Sequence, residues 1–317
     1  MCYNYDFIHA CVIGELEVAK QLVELYPSDI DVSAHGNYAF LYACANGRLK
    51  VAKWLVDSYP SVVNISVDDN YAFRNACANN HIEVAKWLVD SYPSAVNISA
   101  KHDFAFRYAC SHGYLKVAKW LIEICPSINI SAEDSFAFKY ACIGGHLEVA
   151  KWLVEINPSV ENVFANIDYA FVNACLYGRL ELAKWLINSY PFAVNISSQD
   201  DLPFRCACLG GYLELAKWLV QIKPFAVNIH ALDNHAFRSA CLKGHIGVAK
   251  WLVQICPYHY ILELDQTQPK IISWEIRPIQ ETKWLERAIP VLSYNSKNKN
   301  VFQTLNYDMV RRICEFV

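Results

Sequence analysis

Hydrophobic and polar positions alternate here with a period that belongs to a repeated motif. In Asn37–Ser66, Phe40, Ala43 and Cys44 stand at i, i+3 and i+4, one face of a short helix. Gly47 permits a tight turn. Leu49, Ala52, Leu55 and Val56 then carry the helical period into a second helix. Pro60 ends it, because proline disfavours helix at the residue before it. Val62, Asn64 and Ile65 read as an extended connection. Phe7, Phe40, Phe73, Phe106, Phe138, Phe171, Phe204 and Phe237 follow one another at intervals of 33, 33, 33, 32, 33, 33 and 33 residues. Cys11 to Cys241, Lys20 to Lys250 and Pro27 to Pro257 keep the same ruler. A fixed period of this size means a stack of identical units, each burying its apolar face against the next. The predicted fold class is all-α, a solenoid of about nine helix-turn-helix units joined by short turns. Trp54, Trp87, Trp120, Trp152, Trp185, Trp218 and Trp251 are expected to pack as a row along the second helices.

The motif resembles the ankyrin repeat. The likeness is carried by Gly145-His146-Leu147-Glu148-Val149-Ala150-Lys151-Trp152-Leu153-Val154, which is similar to the family's glycine–histidine–leucine–glutamate stretch at the second helix. The first helix departs from the family: Tyr38-Ala39-Phe40-Leu41 stands where threonine–proline–leucine–histidine is usual, so aromatic bulk replaces a threonine–histidine hydrogen bond. A Tyr-Pro or Cys-Pro step replaces the glycine that usually follows the second helix. The Ala-Phe and Ala-Lys-Trp-Leu variants look like those of ankyrin proteins from large amoeba-infecting DNA viruses. The resemblance implies an ankyrin-repeat solenoid and leaves the bound partner open, since such arrays bind many different partners.

The ends of the chain break the template. The array is expected over residues 1–290. Residues 1–34 serve as an N-terminal cap repeat with Gln21 where the others have tryptophan. Lys283-Trp284-Leu285 and Pro290 keep the ruler, so residues 265–290 read as a diverged C-terminal repeat; alternation in Tyr258–Leu264 and Ile271–Ile276 leaves a hairpin as the alternative. A polar linker follows at 291–304. Residues 305–317 then make one apolar helical face from Leu305, Met309, Val310, Ile313, Phe316 and Val317. That face resembles the opening helix of an F-box, with Asn306 in place of its proline, and shortened F-box-like tails also end poxvirus ankyrin proteins. The resemblance implies that Leu305, Met309, Val310, Ile313 and Phe316 contact a ligase adaptor. The alternative is a helix that only covers the last repeat.

Charge and composition narrow the chemistry. Apolar residues make up 54% of the 317 and charged residues 19%, which excludes a disordered chain. A net charge of -3 provides no basic face, so no nucleic-acid partner is expected. Neither a membrane span nor a secretory signal is expected, and the location expected is cytoplasmic, in a host cell if the protein is viral. Ladder cysteines on stacked helices about 8–10 Å apart are too distant to pair, so they read as buried thiols in a reducing compartment. Cys77/His81, Cys142/His146 and Cys241/His245 have i, i+4 spacing, but one pair per repeat does not converge as zinc ligands must. No metal or cofactor is expected. No nucleophile, base and orienter group together, so the chain reads as non-enzymatic with no catalytic residues. Glu17, Glu83, Glu148, Glu181 and Glu214 stand three residues before a ladder lysine, which makes the lysine row a solvated, ion-paired face.

What varies between repeats is then the candidate site. Turn tips and first-helix ends give Asn37, Asn46, Asp68, Asn70, Asn79, Asp103, His112, Glu133, Asp168, Tyr177, Asp201, Asn234 and Lys243 as the lining of a partner-binding groove. Acidic tips predict a negative bias and a protein partner with basic residues, and Tyr177 reads as an anchor. The expected function is a monomeric protein-interaction scaffold, with a substrate adaptor for a host cullin–RING ubiquitin ligase as its extension. The alternative is a structural or decoy repeat protein whose last helix caps the array.

Overall fold

The computed structural model describes residues 3–157, 160–222, 227–255, 258–264 and 271–278; for 160–165, 233 and the two strands only the backbone is described. Sixteen helices appear among them. In the first compact unit, residues 1–166, they pair as α1 (Tyr3–Ile13) with α2 (Leu16–Leu25), α3 (Ala34–Ala45) with α4 (Leu49–Ser58), α5 (Val67–Ala78) with α6 (Ile82–Ser91), α7 (Ala100–Ser111) with α8 (Leu115–Ile124), and α9 (Ala132–Gly144) with α10 (Leu147–Ile156). α11 (Val160–Leu176) leads into the second unit, residues 167–317. There α12 (Leu180–Ser189), α13 (Ser198–Leu209), α14 (Leu213–Ile222), α15 (Ala231–Lys243) and α16 (Ile246–Ile255) follow.

The core of each unit is the apolar ruler itself. Phe7, Phe40, Phe73, Phe106, Phe171 and Phe204 are fully buried, as are the ladder alanines and Leu55, Leu88, Leu121 and Leu186. The ladder tryptophans from Trp54 to Trp251 are half-buried. Four of them stand tilted or edge-on to the phenylalanine of the preceding repeat: Phe7 to Trp54 at 6.4 Å, Phe73 to Trp120 at 6.4 Å, Phe106 to Trp152 at 6.2 Å and Phe204 to Trp251 at 6.3 Å. Such off-parallel ring pairs add to the area they bury. The ten described cysteines are free thiols. Burial pushes Cys11 up to about 12 and raises Cys44, Cys77, Cys110, Cys142 and Cys208 further. Four of the five ion pairs that the lysine spacing predicts form, Lys20–Glu17, Lys151–Glu148, Lys184–Glu181 and Lys217–Glu214 at 2.8–3.2 Å, whereas Glu83 does not pair with Lys86. In the first repeat Gln21 faces solvent, and so do Val18 and Leu25.

The helical repeats bear out the all-α solenoid, with one hairpin after α16 among the described residues. β1 (Tyr258–Leu264) and β2 (Ile271–Pro278) pair antiparallel, with Tyr258 opposite Pro278, Leu262 opposite Trp274 and an irregularity after Glu263. β2 lies inside the stretch expected as a ninth, helical repeat, and that expectation is corrected there. The period-2 alternation of β-branched and aromatic residues outweighs the ruler. The remainder of the expected repeat, the linker 291–304 and the F-box-like segment 305–317 lie outside the described residues.

Candidate functional site

Five of the first helices are entered through a turn that periodicity does not reveal. His35, Gly36 and Asn37 all have φ between 53° and 70°. Asp68–Asn70, Lys101–Asp103, Glu133–Ser135 and Gln199–Asp201 repeat this left-handed geometry. A left-handed residue with a side chain costs roughly 1–2 kcal/mol, and asparagine and aspartate suffer least. The third residue of the turn repays this with its side chain. Asn37 donates from Nδ2 to Val62 O at 3.0 Å and accepts the Asn64 amide at 2.8 Å; Asn70 does the same with Ala95 at 2.7 Å and Asn97 at 2.9 Å. The residues so held form a second ladder. Asn64, Asn97, Asn129, Asn195 and Asn228 each accept an amide two residues on, an Asx turn opening the next repeat.

An arginine six residues into the motif clamps the turn from the other side. Arg74 donates to Asp69 O and Asp68 O, both at 2.8 Å. Arg107 donates to His102 O at 2.7 Å and Lys101 O at 3.0 Å, and Arg205 to Asp200 O and Gln199 O at 2.8 Å. Lys139 reaches the Asp134 carboxylate instead.

These contacts correct the groove read from the sequence. Asn37, Asn70, Asp103, Asp201 and Asn234 are buried, so they pin the chain to itself rather than line a surface. Asp168 accepts the Asn195 amide at 3.1 Å. Asn46 and His112 bond carbonyls of their own helices, at Tyr42 and Tyr108, and Asn79 reaches Ala45 in the preceding repeat. The acidic tips are largely compensated: Asp69 pairs with Lys101 at 2.7 Å, Glu133 with His102 at 2.7 Å, and Asp68 stands 4.0 Å from Arg74. Asp68, Glu133, Tyr177 and Lys243 keep solvent exposure, Tyr177 at 44%.

The surface that remains is aromatic, and lies on the first helices of the first unit. Tyr38 stacks on Tyr42 at 4.0 Å and Tyr42 leans on Tyr71 at 5.6 Å. The Arg74 guanidinium then bridges Tyr71, at 5.9 Å, and Phe104, at 4.8 Å. Phe104 stacks on Tyr108 at 4.0 Å, Tyr108 meets Phe136 at 5.3 Å, and Phe136 stacks on Tyr140 at 4.1 Å. Arg107 lies 5.0 Å over Phe136. Tyr38 and Tyr140 are 38% and 45% exposed. The sequence holds the signal in register: Tyr5, Tyr38, Tyr71, Phe104, Phe136 and Tyr169 all stand two residues before the core phenylalanine. Because the column is nearly constant, it reads as part of the stacking template rather than as a variable surface.

Histidines serve the joints between repeats. The His81 ring covers Gly47, His146 covers Gly113 and His245 covers Gly211, so a Cβ on any of these glycines would overlap an imidazole. Tyr212 does the same over Gly178. Where Ser135 replaces the pinning asparagine, a small pocket opens between Ile130, Ser131, Phe138, Leu153, Val154 and Asn157. Among the described residues no three His, Cys, Asp or Glu side chains group as metal ligands, and no helix is long and apolar enough to cross a membrane.

Comparison with known proteins agrees with the repeat geometry. Models of ankyrin repeats match residues 35–65, 73–163 and 167–220, together more than half of the chain. The chain belongs to the ankyrin repeat family, whose arrays are protein-interaction scaffolds. Among solved structures it is similar to the human ASB11 ankyrin repeat domain, at 18% identity, covering 62% of this chain and 95% of that one with a TM-score of 0.45. No curated protein matches it in sequence.

Proposed function

We propose that this chain is a non-enzymatic scaffold that binds a protein partner with basic residues through the aromatic face Tyr38–Tyr140. The supporting observation is the ladder itself. Exposed, mutually stacked rings rimmed by polar tips are what an interface offers, and tyrosine supplies large contact area with few rotatable bonds. Arg74 and Arg107 already lie on these rings, so the face accepts cations. The test is the pair Tyr108→Ala and Tyr140→Ala. Both side chains are at least partly solvent-exposed. Loss of partner capture with an unchanged melting temperature is expected; capture that survives both changes refutes this face.

The extension of this reading is a substrate adaptor for a cullin–RING ubiquitin ligase, with Leu305, Met309, Val310, Ile313 and Phe316 as the ligase contact. Its support is the F-box-like spacing of that segment. A chain ending at Asn298 is expected to lose a cullin adaptor while keeping its partner. If neither chain captures a ligase component, the segment is a cap and the scaffold acts alone.

A further inference from the structure

The clamped turns reveal a guanidinium receptor that one repeat leaves unfilled. In the sibling repeats of Arg74 and Arg107 the receptor has the same parts. Two successive carbonyls of the left-handed turn accept the arginine fork, and the ring column carries its flat face; Arg205 keeps the two carbonyls without a tyrosine or phenylalanine ring among the described residues. The turn His35–Asn37 has the same backbone geometry, and Tyr38 and Tyr71 occupy the ring positions. Six positions after His35, where the siblings have arginine, stands Leu41. Leucine fills the place of the arginine stem and is buried, but it ends short of the carbonyls and carries no donor. Among the described residues no side chain donates to His35 O or Gly36 O. Both residues are exposed, and a Cβ on Gly36 would meet nothing within 4 Å.

We propose that the carbonyls of His35 and Gly36, with the rings of Tyr38 and Tyr71, form a docking site for an arginine side chain of the protein partner. The site rests on the interaction reading above and gives it a chemical handle. Two parallel acceptors and a flat ring match the planar, two-pronged guanidinium and not the compact ammonium of lysine. The chain repeats that distinction internally, because Lys139 turns to a carboxylate where arginines take the carbonyls.

A direct test titrates the full chain with acetyl-glycyl-arginyl-glycinamide and with its lysine counterpart, following the backbone amides of Gly36 and Asn37 by NMR. Saturable shifts with the arginine peptide are expected, with binding roughly tenfold weaker for lysine. Leu41→Arg should fill the site from within, abolish the shifts and melt no lower than the parent, as Arg74, Arg107, Arg205 and Arg238 each donate to a carbonyl of their own turn. Tyr38→Ala, at an exposed ring, should weaken binding if Leu41→Arg does not fold. Equal shifts with both peptides, no saturation, or undiminished binding in the variant that folds overturns the site. If the arginine peptide fails while Tyr108→Ala and Tyr140→Ala still abolish partner capture, the site is wrong and the scaffold reading stands.

Discussion

Asn70 and Asp201 occupy the same column of the repeat with opposite consequences. The amide of Asn70 both donates and accepts, so both of its ends are satisfied. Asp201 accepts the Asn228 amide at 3.1 Å, but its other oxygen is buried with no partner among the described residues. Burial raises its carboxyl above the usual range, against the opposing pull of Asn228, the Ser197 hydroxyl and Arg205. A raised carboxyl favours the protonated fold. Its contribution is therefore present in acid, below the unfolded value, and is lost as pH rises through the folded value. Asp201→Asn is expected to stabilise the protein near neutral pH by about 1–3 kcal/mol, with the gain shrinking towards about pH 4. Urea unfolding at both pH values measures this, and a difference that ignores pH contradicts the assignment. His81 runs the other way. Burial, then Arg48, lowers its pKa, so protonation in mild acid loosens the joint it makes over Gly47. Gly47→Ala sets a Cβ into that imidazole at a φ of 73°, and a loss of roughly 2 kcal/mol or more is expected in thermal unfolding.

At the scale of elements, the helices were legible and the turns were not. Phe40, Cys44, Leu55 and Pro60 mark both helices of the repeat, because the 3.6-residue period of a buried face is written in the side chains that bury it. The left-handed entry turn leaves no such period. Only one glycine occurs among the five complete turns, and its other residues read as ordinary polar tips. That is why Asn37 and Asn70 were assigned to a groove: a polar residue at a loop tip looks the same whether it faces water or holds the backbone. The hairpin was visible as alternation and was overruled by the ruler. If the pin is what orders the connection, Asn70→Ala should leave the Ala95 carbonyl and Asn97 amide without partners. Hydrogen exchange at Asn97 is then expected to accelerate on the order of tenfold or more while the α5 and α6 cores stay protected. Uniform acceleration across the unit would instead mean that the pin holds the whole fold.

Across the whole molecule, function is unevenly spread. The stacked rings from Tyr38 to Tyr140 belong to the first unit, whereas in the second unit Tyr169 keeps an exposed ring in that column and Leu202 and His235 follow it. Partner binding by the first face therefore predicts that Tyr177→Ala, in the second unit, has less effect on capture than Tyr108→Ala. Competition binding with the two variants decides between them. Thiol chemistry is equally uneven. The buried ladder cysteines should resist alkylation in the native state, and among the described cysteines Cys125, half-exposed beside Ser127 at 3.3 Å, should label first. Peptide mapping after a short iodoacetamide pulse reads this directly.

The joint between repeats also bears on how such a chain changes length. A ring borne by one repeat fits a glycine borne by the repeat before it, and histidine and tyrosine both serve. Misaligned recombination that excises residues 67–99 would bring Gly47 under Tyr114, a pairing that Gly178 and Tyr212 already make elsewhere. That excision recreates a joint of a kind the chain already uses. The gene can therefore lose or gain whole repeats without passing through an unfolded ancestor, while the binding face lengthens or shortens one ring at a time.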